Sequence, residues 1–327
     1  LDAEGRVVDD AFKNRRRETL VAAFTARRPR LLMIEMFPFG RRQLRFELLP
    51  LIAAAKAAVP RPLIVGSVRD ILVRQPRPDR LVEMLGWAED FDRLLVHGDP
   101  DLVPFSRTFP AHDRLGDRLV ETGYVVEPPP MVAAGGDGEG KGEIIVSTAG
   151  GRVGQRLMEV ALEAAERLAV DADRSATERL RWRLLVGHGV AEETVRALNA
   201  RAVAGLVVER ARSDFSLLLG RAALSISQGG YNTVMEVLAA GCPAIIVPFA
   251  GGEEAEQTLR ARLLAARGFV LALDEASVDA ESLARAVTGL LGRGRIRSER
   301  RPRMDGAAYT ARLLGQLLAQ PDPRFRG

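Results

Sequence analysis

Short apolar runs rich in Val and Ile alternate with longer helical patterns along almost the whole chain, and this alternation constrains the fold more than any other feature. Such runs are typical of buried strands, and the helical stretches between them are the connections that parallel strands need. The sequence therefore predicts an α/β protein made of βαβ units. The predicted strands are 30–36, 62–68, 93–97, 123–126, 143–147, 182–186, 205–208, 223–227, 244–248 and 269–273. The main predicted helices are 41–58, 153–169, 192–204, 215–221, 232–240, 254–267 and 280–291.

A break in this alternation divides the chain into two domains. Residues 127–142 start with a Pro run and continue into a Gly-rich stretch, so they are predicted to form a linker. The N-terminal domain is then 1–126, with four strands, and the C-terminal domain is 143–327, with six strands in a doubly wound parallel sheet. Because the chain starts at Leu1 with no opening strand, the N-terminal domain is expected to lack its first strand and loop.

The composition excludes several classes of protein. With 47% hydrophobic and 28% charged residues, the chain is neither disordered nor collagen-like, and no apolar run reaches the roughly 18 residues that a membrane span needs. Cys242 is the single Cys, so no intrachain disulfide can form, which favours a reducing, cytoplasmic compartment. Nearly all basic residues are Arg; we attribute the pI of 9.7 to codon usage and predict no nucleic-acid partner.

Ligands of open parallel sheets bind outside the carboxyl ends of the strands, and a Gly-rich loop follows the first strand of the C-terminal domain. Thr148, Gly150 and Gly151 belong to this loop. Glycines between a strand and a helix let the backbone approach a diphosphate, and the helix N-terminus offers N–H donors. Glycine also simply makes tight turns, and the loop is neither a Walker A motif nor a GxGxxG motif. Both interpretations stay open.

A second loop of this kind carries the strongest signal. It runs Gln228-Gly229-Gly230-Tyr231-Asn232-Thr233 after a predicted strand, and Asn232 or Thr233 can cap the next helix or bind an anion. Glu236 lies one turn after Thr233 on the same helix face, where its carboxylate can accept paired hydroxyls such as those of a ribose. The alternative is a capping box in which Glu236 supports the helix start.

A third strand end precedes Glu253, Glu254, Glu256 and Gln257. Carboxylate and amide acceptors at a helix start suit polyhydroxylated ligands. Favourable charge near a helix N-terminus is the alternative, and it suffices for Glu253 and Glu254.

The stretch 228–257 resembles the nucleotide-diphosphate-sugar signature of GT-B glycosyltransferases, and most of all the family-28 C-terminal domain of MurG-like peptidoglycan enzymes. The resemblance rests on the two glycines, Thr233, Glu236, Ala240-Gly241-x-Pro243, Val247-Pro248-Phe249 and Glu256-Gln257. The whole chain is also similar to a bacterial group of predicted glycosyltransferases, in Phe37-Pro38-Phe39-Gly40-Arg41, Ser67-Val68-Arg69-Asp70 and the loop from Ser227. The fold it implies is GT-B, with two Rossmann-like domains facing across a cleft.

The resemblance also implies roles for individual residues. Glu236 would hold the ribose hydroxyls, and Glu256 with Gln257 would read the hydroxyls of the sugar. Arg210 and Ala211 would lie where backbone groups read the base, although Arg210 stands where an aromatic residue is expected, so the base is left open with UDP favoured. The residues that would meet the diphosphate are Thr148, Gly150, Gly151, Gln228, Gly229, Gly230, Tyr231, Asn232 and Thr233.

The implied reaction is an inverting sugar transfer from a nucleotide-diphosphate sugar to an acceptor hydroxyl, with no metal and no cofactor. The base would normally belong to the N-terminal loop that is absent from this chain. Glu35, Asp70 and His97 end predicted strands and are the substitute candidates; otherwise they order loops. His188 is either a ligand contact or a structural residue. The implied acceptor is lipid-linked or a small molecule.

The basic run 293–303 is either a solvated loop or a contact with an anionic membrane, which would place the protein peripherally at the inner membrane face. Two rival hypotheses remain beside the transferase. One is a nucleotide-sugar 2-epimerase, which shares the fold and a similar loop. The other is a donor-binding module that does not catalyse in the form given.

Overall fold

Two parallel sheets, one of four strands and one of six, organise the chain and confirm the predicted α/β class. A computed structural model describes residues 9–72, 76–128, 138–148, 154–175, 180–249, 256–292 and 302–319. The chain divides into two units. Unit 1 comprises residues 1–125 and 305–327, and unit 2 comprises residues 126–304.

The sheet of unit 1 follows the order of the chain. Its strands are β1 (Leu31–Glu35), β2 (Leu63–Arg69), β3 (Arg93–His97) and β4 (Leu119–Glu121), and neighbours pair in parallel in the order β1-β2-β3-β4. The helices are α1 (Asp10–Arg27), α2 (Arg45–Ala57) and α3 (Pro78–Ala88), with short 3-10 segments at Arg42–Leu44, Phe105–Arg107 and His112–Arg118. Because every crossover advances in one direction, the described strands of unit 1 contain no point at which the order reverses.

Capping and an ion pair fix the first helix of unit 1. The side chain of Asp9 accepts a hydrogen bond of 2.7 Å from the N–H of Phe12, and Arg28 ends α1 in the left-handed conformation with φ of 43°. Arg16 of α1 grips the buried carboxylate of Glu47 on α2 through two bonds of 2.7 and 2.8 Å. Aromatic side chains contribute to the core of unit 1, where the rings of Phe37 and Trp87 stack with their centres 5.3 Å apart.

The sheet of unit 2 is doubly wound. Its strands are β5 (Glu143–Ser147), β6 (Arg181–Val186), β7 (Leu206–Arg210), β8 (Leu224–Ser227), β9 (Ala244–Ile246) and β10 (Leu271–Ala272). Their order is β10-β9-β8-β5-β6-β7, all parallel. The helices are α4 (Gln155–Ser175), α5 (Glu192–Ala200), α6 (Phe215–Arg221), α7 (Tyr231–Ala240), α8 (Glu256–Ala266) and α9 (Ala280–Leu291). This is the two-halved order of nucleotide-binding folds, with its reversal between β5 and β8.

The last helix of the chain, α10 (Gly306–Ala319), returns to unit 1, whereas the sequence-based boundaries placed it in the second domain. The reason is close packing at its start. The N–H of Gly306 donates to the carbonyl of Tyr124 at 3.0 Å, and a Cβ on Gly306 would lie only 2.2 Å from the carbonyl oxygen of Gly123. At the other end, Arg30 donates to the carbonyl of Leu318 at 2.8 Å.

One strand prediction is wrong. Residues 123–126 do not form the fourth strand of unit 1; that strand is β4, which ends at Glu121. Gly123 has φ of 89°, which is incompatible with an extended strand, and the preceding Thr122 turns its hydroxyl onto the carbonyls of Val96 and Gly123. In the parts of the chain that the structure describes, no helix is long and apolar enough to cross a membrane.

Candidate functional site

The order of strands in unit 2 reverses between β5 and β8. Ligands of open α/β sheets bind in the crevice outside the carboxyl ends of the strands at such a point. Ser147 and Ser227, the last residues of these two strands, are partners in the ladder. The structure therefore brings the starts of the two predicted Gly-rich loops side by side.

Three buried polar side chains at this point find no hydrogen-bond partner among the described protein groups. They are the hydroxyls of Ser147 and Ser227 and both ends of the Gln228 carboxamide. Leaving a buried polar group unpaired costs about 1–3 kcal/mol, so a site that retains several of them is suited to a ligand that supplies the partners. Gln228 is one of the residues predicted from the sequence, whereas Ser147 and Ser227 are not. For Ser227 the signal was the alternation of Ser225 and Ser227 with apolar residues in β8.

Two glycines keep the crevice open. Gly154 has φ of +132°, and a Cβ there would lie 2.6 Å from the Cβ of Thr148 and 2.8 Å from Oε1 of Gln228. Gly229 has φ of +84°, and its Cβ would lie 2.7 Å from Cγ2 of Ile246. A larger side chain at Gly154 would fill the space beside the unpaired carboxamide. Gly150 and Gly151, which were predicted to meet the diphosphate, lie outside the described residues.

Helix α7 starts directly after the second loop. Its N-cap is Gly230, which has no side chain to satisfy the first N–H groups of the helix. Asn232 and Thr233 lie inside the first turn and neither caps the helix, so of the two alternatives for these residues only anion binding stays a prediction. The N–H groups at the helix start and the positive end of its dipole favour an anion at this place.

Glu236 lies half-buried on α7, about one turn after the helix start. Neither a hydrogen bond nor an ion pair with the described residues engages its carboxylate. Burial raises the pKa of Glu236, and the charge of Glu127 raises this pKa further. The capping-box alternative is not realised, because no side chain caps α7. The carboxylate is therefore available to accept two neighbouring hydroxyl groups.

The guanidinium of Arg210, a predicted base-reading residue, holds the loop that follows β6. It donates to the carbonyls of Gly187 and Val190 at 3.1 and 2.8 Å and also pairs with Glu192. The N–H of the next residue, Ala211, extends the ladder by donating to the carbonyl of Val186 at 2.8 Å. These bonds order the segment, and base reading by its backbone stays a prediction.

The predicted sugar-reading residues, Glu256 and Gln257, are held by protein contacts at the start of α8. Glu256 pairs at 2.7 Å with Arg260, which is 1% exposed and whose guanidinium lies 5.1 Å from the ring centre of Tyr231. Oε1 of Gln257 accepts a bond of 3.2 Å from the N–H of Phe249. Arg260 adds a buried positive charge that the sequence analysis missed, although its spacing of four residues from Glu256 was a signal. The carboxylates of Glu253 and Glu254 lie outside the described residues.

Two of the three candidates for the catalytic base in unit 1 make protein contacts that account for them without a catalytic role. Glu35, at the end of β1, is 55% exposed and forms an ion pair of 2.7 Å with Arg41. Asp70, just after β2, is completely buried and accepts a hydrogen bond of 3.2 Å from the hydroxyl of Tyr124. Both arrangements agree with the loop-ordering alternative.

His97, the third candidate, ends β3 and is half-buried. Its Nε2 lies 2.8 Å from the hydroxyl of Ser67, and its Nδ1 lies 2.8 Å from the hydroxyl of Thr122. Burial lowers the pKa of His97, so the neutral ring is favoured. Over the described ranges, no group of three or more His, Cys, Asp or Glu side chains is placed to hold a metal ion.

Comparison with known proteins points to one family. Residues 145–305 match the glycosyltransferase family 28 C-terminal domain. Over 188 residues the chain is 32% identical to the UDP-N-acetylglucosamine--N-acetylmuramyl-(pentapeptide) pyrophosphoryl-undecaprenol N-acetylglucosamine transferase of Methylobacterium nodulans, covering 55% of this chain and 48% of that protein. The chain spans about half the length, or less, of the curated relatives it matches.

Solved structures resemble the chain over nearly its whole length. MurG of Acinetobacter baumannii covers 97% of this chain and 83% of its own, with a TM-score of 0.60 and 17% identity. A UDP-N-acetylglucosamine 2-epimerase from Listeria monocytogenes covers 95% of this chain and 80% of its own, with a TM-score of 0.61 and 14% identity. At these identities the likeness shows a shared GT-B fold.

Proposed function

Because residues 145–305 are a glycosyltransferase family 28 C-terminal domain, we propose that the protein transfers a sugar from a nucleotide-diphosphate sugar to an acceptor hydroxyl. The donor is UDP-linked, as in the names of the curated relatives. It binds in unit 2, in the crevice between the ends of β5 and β8.

The unpaired polar groups of that crevice carry the proposal. Among the described residues, the hydroxyls of Ser147 and Ser227 and the carboxamide of Gln228 are buried without a hydrogen-bond partner, and the oxygens of a diphosphate could supply partners. Glu236 offers an unpaired carboxylate for the ribose hydroxyls. The start of α7 supplies N–H groups and a partial positive charge for the phosphates.

In the proposed reaction the acceptor oxygen attacks the anomeric carbon while a base takes its proton, and the bond from that carbon to the diphosphate breaks with inversion. Negative charge grows on the leaving diphosphate, where the N–H groups of the loop and the dipole of α7 stabilise it. Such preorganised donors can replace a metal ion in this role. The reaction is therefore proposed to be metal-independent, with undiminished turnover in the presence of a chelator.

We propose only the chemical class of the acceptor. The curated relatives are named for transfer to a pyrophosphoryl-undecaprenol acceptor, and we extend to this chain a lipid-linked or small-molecule hydroxyl. A peripheral position at the cytoplasmic face of a membrane follows from the lipid-linked case. Flotation with anionic vesicles, and its loss with neutral ones, would support that position.

Calorimetry with UDP-N-acetylglucosamine, and with GDP- and dTDP-linked sugars for comparison, tests the donor site. Glu236→Ala should weaken binding of the UDP form by about 1–3 kcal/mol, or roughly 5- to 150-fold, because it removes the acceptor of the ribose hydroxyls. Glu281→Ala, which changes an exposed carboxylate on α9, is the matched control and should bind normally. Equal affinities for the two variants would contradict the assignment.

The rival activities give different products. A 2-epimerase would invert the sugar at C2 with no acceptor present, whereas the proposed transferase leaves C2 unchanged. A pure binding module would bind the donor and leave it intact. NMR of the sugar without acceptor identifies the epimerase, and slow release of UDP with water as the acceptor separates the transferase from the binding module.

A further inference from the structure

A cavity of about 670 Å³ opens at the amino end of the unit 1 sheet. It is bounded by the starts of β1, β2 and β3 and by the last turns of α1, α2 and α10, and the described residues that line it all belong to unit 1. Its volume falls within the range of about 300–1,000 Å³ that is typical of ligand sites. Substrates of parallel sheets bind at the carboxyl ends of the strands, so this cavity lies at the other end of the sheet from a substrate site of the usual kind.

The helix ends give the cavity mainly aliphatic walls. α1 contributes Phe24, which is buried and is the one aromatic residue of the described lining. α2 contributes Ala54, and α10 contributes the half-buried Leu317. Val59, just after α2, also lines the cavity and is 84% exposed, so an apolar surface is left uncovered there. Bases of nucleotides stack on aromatic rings, whereas walls of this kind suit an alkyl chain.

Positive charge is concentrated on the same lining. The charged side chains among the described lining residues are four guanidiniums and one carboxylate, those of Arg28, Arg30, Arg61, Arg93 and Asp92. Four positive charges against one negative charge leave an excess of three. The cavity is therefore electrostatically suited to an anion.

Protein contacts hold three of the guanidiniums in place. Arg61 binds both carboxylate oxygens of Asp92, at 2.9 and 3.0 Å. Arg93 donates to the carbonyl of Asp92 at 2.7 Å, and Arg30 donates to the carbonyl of Leu318 at 2.8 Å. A guanidinium has five N–H groups, and these bonds engage only part of each set. The remaining N–H groups are thus held in position to bind a carboxylate or phosphate head, which match the planar fork of Arg.

Helix ends offer a competing explanation for the positive charge. The carbonyl groups in the last turn of a helix carry partial negative charge, which a nearby cation offsets. Arg30 does this for α10. Arg93, in contrast, starts β3 and bonds to the carbonyl of the residue before it, so helix ends do not account for its place in the lining.

We propose that this cavity binds an amphiphile with an anionic head and a single alkyl chain. The head is bound by the guanidiniums of Arg28, Arg30 and Arg93, and the chain lies against the aliphatic walls formed by α2 and α10. Arg61 is a positioning residue, because it is already paired with Asp92. The inference does not depend on the proposed sugar transfer, since the lining belongs to unit 1 and the tests contain no nucleotide sugar.

The first test is calorimetry with hexyl, octyl and decyl phosphate, each below the concentration at which it forms micelles. Affinity should rise by about 4-fold for each added methylene, because each one buries more apolar surface. Decanoate distinguishes a carboxylate head from a phosphate head, and decanol tests the chain without a charge. Binding of neither decyl phosphate nor decanoate, or equal binding of decanol, would overturn the proposal. Equal affinities for inorganic phosphate and decyl phosphate would do the same, since the anion alone would then be bound.

The second test changes the proposed head site. Arg30→Gln and Arg93→Gln should each weaken binding of decyl phosphate by about 10-fold, the usual effect of removing a hydrogen bond to a charged group. Arg27→Gln is the matched control, because Arg27 is exposed at the end of α1 and does not line the cavity. Arg28→Gln keeps the test open if loss of the bond to Leu318 unfolds Arg30→Gln. Wild-type affinity in both Arg28→Gln and Arg93→Gln would overturn the proposed head site.

The third test locates the chain. Ala57→Cys places a thiol at the exposed end of α2 on the cavity lining, and Ala23→Cys places one on an exposed part of α1 outside it. The natural Cys242 is buried. Decyl phosphate at ten times its Kd should slow alkylation of the first thiol by about 10-fold and leave the second unchanged. Equal rates with and without ligand would overturn the site, as would binding to anionic vesicles without binding of monomeric decyl phosphate or decanoate.

Discussion

The strand ends of the two units carry similar polar side chains in opposite states. In unit 2, Ser147, Ser227 and Gln228 are buried with no hydrogen-bond partner among the described residues, whereas in unit 1 Ser67 and His97 are bonded to each other. The strand orders explain the contrast. Reversal between β5 and β8 opens a crevice in unit 2, while the described strands of unit 1 advance in one direction and place side chains of neighbouring strands next to each other. Where the strand order reverses, polar side chains at the strand ends are left for a ligand. Where neighbouring strands follow one another in order, such side chains can bond to each other.

The largest effect, on the free energy of unfolding, is expected when a carboxylate is removed from a buried ion pair. Arg183 of β6 is 5% exposed and binds Glu143 and Glu209 at 2.7 Å each. Glu143→Ala strips one carboxylate from a buried guanidinium, and the free energy of unfolding should fall by about 3–5 kcal/mol in urea titrations. Donor affinity of the folded protein should not change. An unaltered urea midpoint would show that pairing inside unit 2 contributes little.

The same ion pair has a pH signature. Burial would raise the pKa of Glu143, but the hydrogen bonds and charge of Arg183 outweigh burial and hold this pKa below its usual value. The stabilisation is therefore present above the unfolded pKa and is lost as the pH falls through the folded pKa. Glu143→Ala should flatten this acid-side decline in stability.

An intermediate effect is expected from the unpaired carboxylate of Glu236. Because burial and Glu127 raise its pKa, donor affinity should decrease as the pH falls from 7 through this raised pKa, where the carboxylate is protonated. The folded pKa exceeds the unfolded one, so ionisation destabilises the fold as the pH rises between them. Glu236→Gln should thus be at least as stable as the wild type at pH 7 and should bind donor weakly at every pH. Calorimetry from pH 5 to 8 measures the difference, and parallel curves for both proteins would contradict it.

The smallest effects are expected from two serines near strand ends, Ser227 in unit 2 and Ser67 in unit 1. Ser227→Ala removes an unpaired buried hydroxyl and should change the free energy of unfolding by no more than about 0.5 kcal/mol, while donor affinity falls by about 0.5–1.5 kcal/mol. Ser67→Ala removes a paired hydroxyl and should do the reverse, with lower stability and unchanged donor affinity. If both substitutions have the same effects on thermal melting and on donor affinity in calorimetry, the pairing of a serine does not decide whether it contributes to stability or to binding.

Much of unit 2 could be predicted from the sequence because its signals are local. β5, α6 and α9 have the predicted bounds, since apolar periodicity and caps such as the Asp279–Ser282 box fix them within a few residues. The resemblance over 228–257 selected Gln228 and Glu236 as donor-site candidates, and it too rests on one short continuous stretch.

What sequence reasoning missed depends on contacts between distant residues. The place of α10 in unit 1 is set by Gly306 packing on Gly123, which are far apart in the chain. The hydrogen bonds of His97 in β3 reach Ser67 in β2 and Thr122 just after β4, so the periodicity within one segment does not reveal them. The unpaired state of Ser147 and Ser227 exists only once β5 and β8 are neighbours.

The return of α10 to unit 1 has a consequence for synthesis. Unit 2 is one continuous stretch, 126–304, and α10 of unit 1 is made only after it. Unit 2 can fold as soon as it leaves the ribosome. The surface of unit 1 around Gly123 and Tyr124 stays uncovered until α10 has been made. Unit 1, although its strands are made before unit 2, is therefore completed only after unit 2.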